Sequence, residues 1–158
     1  MHLFLTGEIQ IGKSTALRRW LDYKKLKTDG FLTFFEERNT NSRRLIMSDT
    51  TRLRQAELAV FRDNAFEINL DTFEKFGLKL LQNSGKYDVI VMDELGTMEE
   101  NAPNFKQAVL TLLDGNFPIV GVVKQRDSPF LDAVRTHPLV QLITVTTNNR
   151  DDYRQWTL

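Results

Sequence analysis

Apolar residues along the chain follow two different rhythms. Leu3-Phe4-Leu5, Val89-Ile90-Val91-Met92 and Ile119-Val120-Gly121-Val122-Val123 are apolar at nearly every position, as in strands covered on both faces. Between them, Ala16, Leu17, Trp20 and Leu21 fall at helical spacing, as do Phe73, Phe76, Leu80 and Leu81, and later Phe105, Ala108, Val109, Leu112 and Leu113. The spacing predicts helices over about 13–25, from Asp71 to before Gly85, and from 105 to Gly115. A short helix over 130–135 and a last strand over 140–145 follow. Phe31-Leu32-Thr33-Phe34-Phe35 and Arg44-Leu45-Ile46-Met47 flank the turn signal Asn39-Thr40-Asn41-Ser42 and predict a hairpin over about 31–48. Residues 50–68 have no decisive period. Strands alternating with helices indicate an α/β fold on a mainly parallel sheet, with the hairpin as an antiparallel addition.

Composition narrows the function classes. At 158 residues the expectation is one domain, 1–158. The absence of Cys excludes a disulfide scaffold, a Cys-based zinc site and a thiolate nucleophile, and two His residues make a His-rich metal site a poor reading. Lys+Arg and Asp+Glu balance at 21 each. That argues against a surface built wholly for nucleic acid, although a local basic patch keeps nucleic-acid contact open without indicating it. No apolar run reaches the ~20 residues of a membrane span. The N-terminal residues lack the basic region of a signal peptide, so the expectation is a cytoplasmic monomer without membrane partners.

Gly7-Glu8-Ile9-Gln10-Ile11-Gly12-Lys13-Ser14 matches G-x-x-x-x-G-K-[ST], with ~0.003 chance matches expected for this composition. An apolar strand enters this loop and an amphipathic helix leaves it. Successive backbone N–H groups of such a loop converge on phosphate oxygens, and the helix N-terminus adds partial positive charge. Residues Gly7 to Thr15 are therefore the candidate nucleotide-binding set. Lys13 is expected on the β- and γ-phosphates and Ser14 on Mg²⁺, with Thr15 a weaker assignment to the helix cap or the α-phosphate. Ile9 and Gln10 stand where richer loops carry further glycines. The loop requires an acid at the end of another buried strand, and Val89-Ile90-Val91-Met92-Asp93-Glu94 supplies one. Asp93 is the candidate Mg²⁺ partner. Glu94 is the candidate that orients or deprotonates the attacking water.

These residues resemble the THEP-type nucleoside-triphosphatases, a family of small P-loop proteins. The resemblance has four parts: Thr6 to Thr15; Gly30-Phe31-Leu32-Thr33 with Glu36, Glu37 and Arg38; Asp93-Glu94-Leu95-Gly96-Thr97-Met98-Glu99; and Thr147-Asn148-Asn149-Arg150-Asp151. The third is the most specific. The resemblance implies a P-loop three-layer α/β/α sandwich that hydrolyses ATP, GTP and other nucleoside triphosphates to diphosphates with Mg²⁺ and little base selectivity. Two features depart from the family pattern: the glycine-poor phosphate loop, and a middle segment over about 50–68 that is shorter than the family usually carries.

A phosphoryl transition state also calls for a cation on its equatorial oxygens. Arg38 leads because of its family-like setting, and Lys124 and Arg126 are favoured by lying just beyond a strand end. Arg43 and Arg44 are further options, and for each of these a solvated surface role is equally open. The expected strand order puts the phosphate-loop strand centrally, separated from the Asp93 strand by one from the middle of the sequence. The competing functions are a nucleotide or small-molecule kinase using the same loop, and a nucleotide-dependent switch or RNA-associated module. No Asn-Lys-x-Asp guanine-reading motif is present.

Overall fold

In this computed structural model, which describes residues 1–39, 41–82 and 85–158, the apolar runs become neighbouring strands because each must be covered on both faces. Strand β1 (His2–Thr6) leads through a loop to helix α1 (Lys13–Lys24). Strands β2 (Thr28–Asn39), β3 (Ser42–Ser48), β4 (Gln55–Arg62) and β5 (Ala65–Ile68) follow. A π-helical turn over Thr72–Gly77 continues into α2 (Leu78–Leu80). Strand β6 (Val89–Leu95), a 3₁₀ turn (Met98–Asn101), helix α3 (Pro103–Leu113), strand β7 (Ile119–Val123), helix α4 (Pro129–Arg135) and strand β8 (Val140–Thr144) complete the order, with a last 3₁₀ turn at Tyr153–Gln155.

The strands form one sheet in the order β5-β4-β3-β2-β6-β7-β1-β8. Pairing is parallel from β2 through β8 and antiparallel from β2 through β5. The expected hairpin is therefore present, but residues 50–68 extend it by two more strands. Thr40, part of its turn signal, lies outside the described residues. Strand β1 is next to the β8 edge of the sheet, not central, because all the antiparallel strands are added on the β2 side. The strand separating it from β6 is β7, which follows β6 in sequence; each β–α–β crossover from the centre places the next strand toward β1.

Two apolar layers make this a three-layer sandwich. On one face Ala16, Leu17 and Trp20 of α1 pack on Leu3, Leu5, Val89, Val91, Val120 and Val122. On the other, Phe105, Val109 and Leu113 of α3 and Leu131 and Val134 of α4 pack on Phe4, Ile90, Met92 and Ile119. Side chains alternate across a strand, so β1 divides Leu3 and Leu5 from Phe4, which is why the run has no polar position. Helix α4 starts at Pro129 behind Ser128, whose Oγ accepts from Leu131 N at 3.3 Å. Gly30, at φ +105, brings β2 against β6: a Cβ there would lie 2.1 Å from Val91 O. No helix among the described residues is long and apolar enough to cross a membrane.

Candidate phosphate and metal site

The C-terminal ends of the parallel strands bring Ser14, Asp93, Glu94 and Lys124 together, as expected for the ligand crevice of such sheets. The loop leaves β1 at Gly7, whose φ of +145 and approach to the Val145 carbonyl (2.6 Å from where a Cβ would stand) admit only glycine. Gln10 takes a left-handed φ of 61, a conformation that costs a side-chain-bearing residue about 1–2 kcal/mol. This is where the glycine-poor sequence leaves its mark. Gly12 caps α1 at φ 102. Glu8, Ile9 and Gln10 are exposed, whereas Ile11 packs on the α1-side core. Thr15 is exposed on the first turn of α1.

Lys13 is buried and turns back into its own loop, donating from Nζ to Gly7 O and Glu8 O at 2.8 Å each. Burial holds its ammonium below the usual lysine pKa, with Glu94 opposing that shift. Ser14 Oγ donates to Asp93 Oδ1 at 2.8 Å, joining the loop to the acid across 79 positions of sequence. Asp93 is buried on β6, and burial pushes its carboxyl up to about 6 against the Ser14 hydrogen bond. In the β6–β7 pairing Asp93 opposes Val122 and Leu95 opposes Val123. Glu94 is therefore an extra, unpaired residue, and such a bulge re-aims a side chain. Its Oε1 lies 3.7 Å from Lys124 Nζ. Just beyond, Gly96 N donates to Glu99 Oε1 at 3.0 Å, and burial raises the Glu99 carboxyl to about 7.

Ser14, Asp93, Glu94, Glu99 and Lys124 line one small pocket of about 150 Å³. Arg38 does not: its Nη2 is 3.3 Å from Glu57 Oε2 on the antiparallel extension. Arg44 pairs with Glu36 at 2.9 Å, and the Arg43 guanidinium lies 4.1 Å from the Phe35 ring centroid. Arg126 contributes its carbonyl to Arg135 Nη2 at 2.9 Å. Of the cations considered from sequence besides Lys13, Lys124 is the one in the pocket. Thr33 on β2, Leu58 on β4 and Phe73 also line it. Thr33 belongs to a segment that resemblance flagged; Leu58 and Phe73 carry no sequence signal, because only the folding of the antiparallel strands brings them there.

The residues suit a hard divalent cation. A hydroxyl and a carboxylate meet at hydrogen-bond distance, and the buried Asp93 charge lacks a compensating cation strong enough to keep its pKa low. Mg²⁺ typically takes one or two such oxygen ligands and fills its remaining positions with substrate phosphates and water. Ser14 and Asp93 would hold it.

Comparison with known proteins identifies the family. A family model described as NTPase matches residues 2–156. Nucleoside-triphosphatase THEP1 of Natranaerobius thermophilus is 26% identical over 163 residues, covering 96% of this chain and 90% of that protein. The cancer-related nucleoside-triphosphatase homolog of Mus musculus is 29% identical over 175 residues, covering 95% of this chain and 90% of that one. Among solved structures, THEP1 from Aquifex aeolicus superposes with a TM-score of 0.79 at 25% identity, covering 96% of this chain and 93% of that chain. A human cancer-related nucleoside triphosphatase gives 0.74 at 25% identity, covering 96% and 92%. With a family match over nearly its full length and a phosphate loop joined to a buried acid, this chain belongs to the THEP-type nucleoside-triphosphatase family of P-loop proteins.

Proposed function

We propose that this nucleoside-triphosphatase is a Mg²⁺-dependent phosphohydrolase with broad base tolerance, acting as a monomeric, single-domain cytoplasmic enzyme over residues 1–158. The observation that carries the reading is the 2.8 Å contact between Ser14 Oγ and Asp93 Oδ1, with the loop amides on one side and the Glu94–Lys124 pair on the other. A bound Mg²⁺ would supply positive charge to the β- and γ-phosphate oxygens.

The chain's own residues do the rest. Lys13 exchanges the Gly7 and Glu8 carbonyls for phosphate oxygens, so substrate binding replaces two neutral acceptors with charged ones. Residues Gly7 to Thr15 hold the phosphates through backbone N–H groups. Such contacts do not read a base, which supports broad tolerance. Glu94 orients the attacking water and takes its proton at the carboxylate. Lys124 replaces Arg38 as the charge-stabilising candidate, because it lies in the pocket and Arg38 is paired elsewhere. Glu99 acts through the backbone, fixing the turn after β6 by accepting from Gly96 N.

The test is phosphate release from ATP, GTP, CTP and UTP, with and without Mg²⁺ and without any added acceptor. Comparable, Mg²⁺-dependent release from all four supports the reading. Consumption of ATP only when a nucleoside or metabolite is added would replace it with a kinase.

A further inference from the structure

A second cavity shares a wall with the phosphate pocket and is four times its size, about 630 Å³ against about 150 Å³. The smaller space suits a phosphoryl group and water, whereas the larger lies within the usual range for a small organic ligand, ~300–1,000 Å³. Ser14, Thr33, Phe34 and Asp93 line both. The larger cavity lies between α1 and β2. Its floor is apolar, from Leu17 and Leu21 on one side and Leu26 and Leu32 on the other.

Two arginines reach it, Arg18 from α1 and Arg52 from the turn between β3 and β4. Neither guanidinium has an ion-pair partner among the described residues, unlike Arg19, Arg38, Arg44, Arg54 and Arg135. Arg52 is instead stacked on Phe34, 4.5 Å from the ring centroid. Stacking on a ring leaves the N–H groups at the guanidinium edge directed outward for an oxyanion. Asp22 and Asp93 also line the cavity; Asp93 accepts from Ser14 and feels the Arg18 charge without forming an ion pair with it, so the Arg18 guanidinium is left to an incoming oxyanion.

The cavity is on the opposite flank of α1 from the C-terminal segment. On that other flank Trp20 Nε1 donates to Trp156 O at 3.1 Å, Arg19 pairs with Asp151 at 3.1 Å, and Arg150 lies beside Gly12. A nucleoside leaving the phosphate loop toward residues 145–150 therefore leaves the cavity free.

We propose that this cavity is a second ligand site, for an organic phosphate or carboxylate whose apolar body rests on the leucine floor and whose oxyanion is held by Arg18 and Arg52. The proposal rests on the phosphate loop holding the triphosphate. Its ligand then lies against the Ser14–Asp93 wall, beside the group that the enzyme cleaves.

The test uses the full chain with Mg²⁺ and a non-hydrolysable ATP analogue at saturation, whose binding is measured first by calorimetry. Absence of analogue binding refutes the proposed function, and is distinguishable from failure at the second site. Phenyl phosphate is then titrated while the methyl resonances of Leu17, Leu21, Leu26 and Leu32 are followed by NMR, with inorganic phosphate and benzyl alcohol as half-ligands. The expected result is saturable shifts with phenyl phosphate, at least tenfold tighter than with either half-ligand. Arg52→Ala, at an exposed position, should weaken phenyl phosphate at least tenfold and leave analogue affinity unchanged. The proposal is overturned if phenyl phosphate gives no saturable shift, if inorganic phosphate or benzyl alcohol binds equally well, or if Arg52→Ala has no effect. It is also overturned if analogue protons show contacts to Leu21 or Leu26, since the cavity would then belong to the nucleoside.

Discussion

Replacing Asp93 by Asn should stabilise the metal-free protein while removing its activity. The carboxyl is buried beneath Ser14 and its pKa is raised from 3.8 to about 6, chiefly by burial. In the unfolded chain the group ionises near 3.8; in the folded protein it holds its proton to about 6. Between those values the native state binds more protons, so stability falls as pH rises through this window, and the loss is complete above it. A difference of about two pH units corresponds to about 3 kcal/mol at pH 7. Asn has the same shape and still offers Oδ1 to Ser14, but has no charge to desolvate. For a chain of this length, each kcal/mol moves Tm by about 2–4 °C, so the variant should melt about 6–12 °C higher at pH 7. The gain should shrink toward zero near pH 4. Thermal unfolding in chelator, without nucleotide, from pH 4.5 to 8 measures both features. If the Asn variant melts no higher than wild type at pH 7, or its advantage is equally large at pH 4.5, the account of Asp93 as an uncompensated buried charge is wrong. Such a site gives up stability in the empty protein for the cation it would hold.

Four further outcomes follow from the same geometry. Glu94→Gln should keep nucleotide affinity within a few-fold and slow hydrolysis by about 10²–10⁴, read by single-turnover phosphate release; a variant as fast as wild type removes Glu94 from the chemistry. Lys124→Met should lower kcat by about 10²–10³ with little change in analogue affinity, whereas Arg38→Met should leave both near wild type, and the reverse pattern would restore Arg38. Lys13→Ala should abolish tight binding and turnover together, as calorimetry with an unhydrolysable analogue would show. Gly30→Ala should destabilise by more than about 2 kcal/mol in urea, since its Cβ would meet Val91 O at 2.1 Å and the residue must hold φ +105.

The phosphate loop, the strand that ends in Asp93-Glu94, and the helices packed on the parallel strands were legible because each is a local pattern. A glycine–lysine–serine spacing needs a particular turn, and an uninterrupted apolar run has to be covered on both faces. The pocket's distant walls were not local. Residues 50–68 have mixed polarity because a strand at the outer part of an antiparallel sheet is only half covered, and the period of β4 is broken at Leu58, the extra residue opposite the Leu45–Ile46 step of β3. Their strands carry Leu58 to the pocket and Glu57 to Arg38, so tertiary pairing separates the arginine suggested by local resemblance from the site and leaves Lys124 beside Glu94. Residue types and spacing determined that a phosphate loop and an acid would exist in this chain. Which cation stands opposite them, which carboxylate is buried without its charge balanced, and which cavity lies alongside were decided only by the tertiary structure, because charge, burial and free volume depend on neighbours that are remote in sequence.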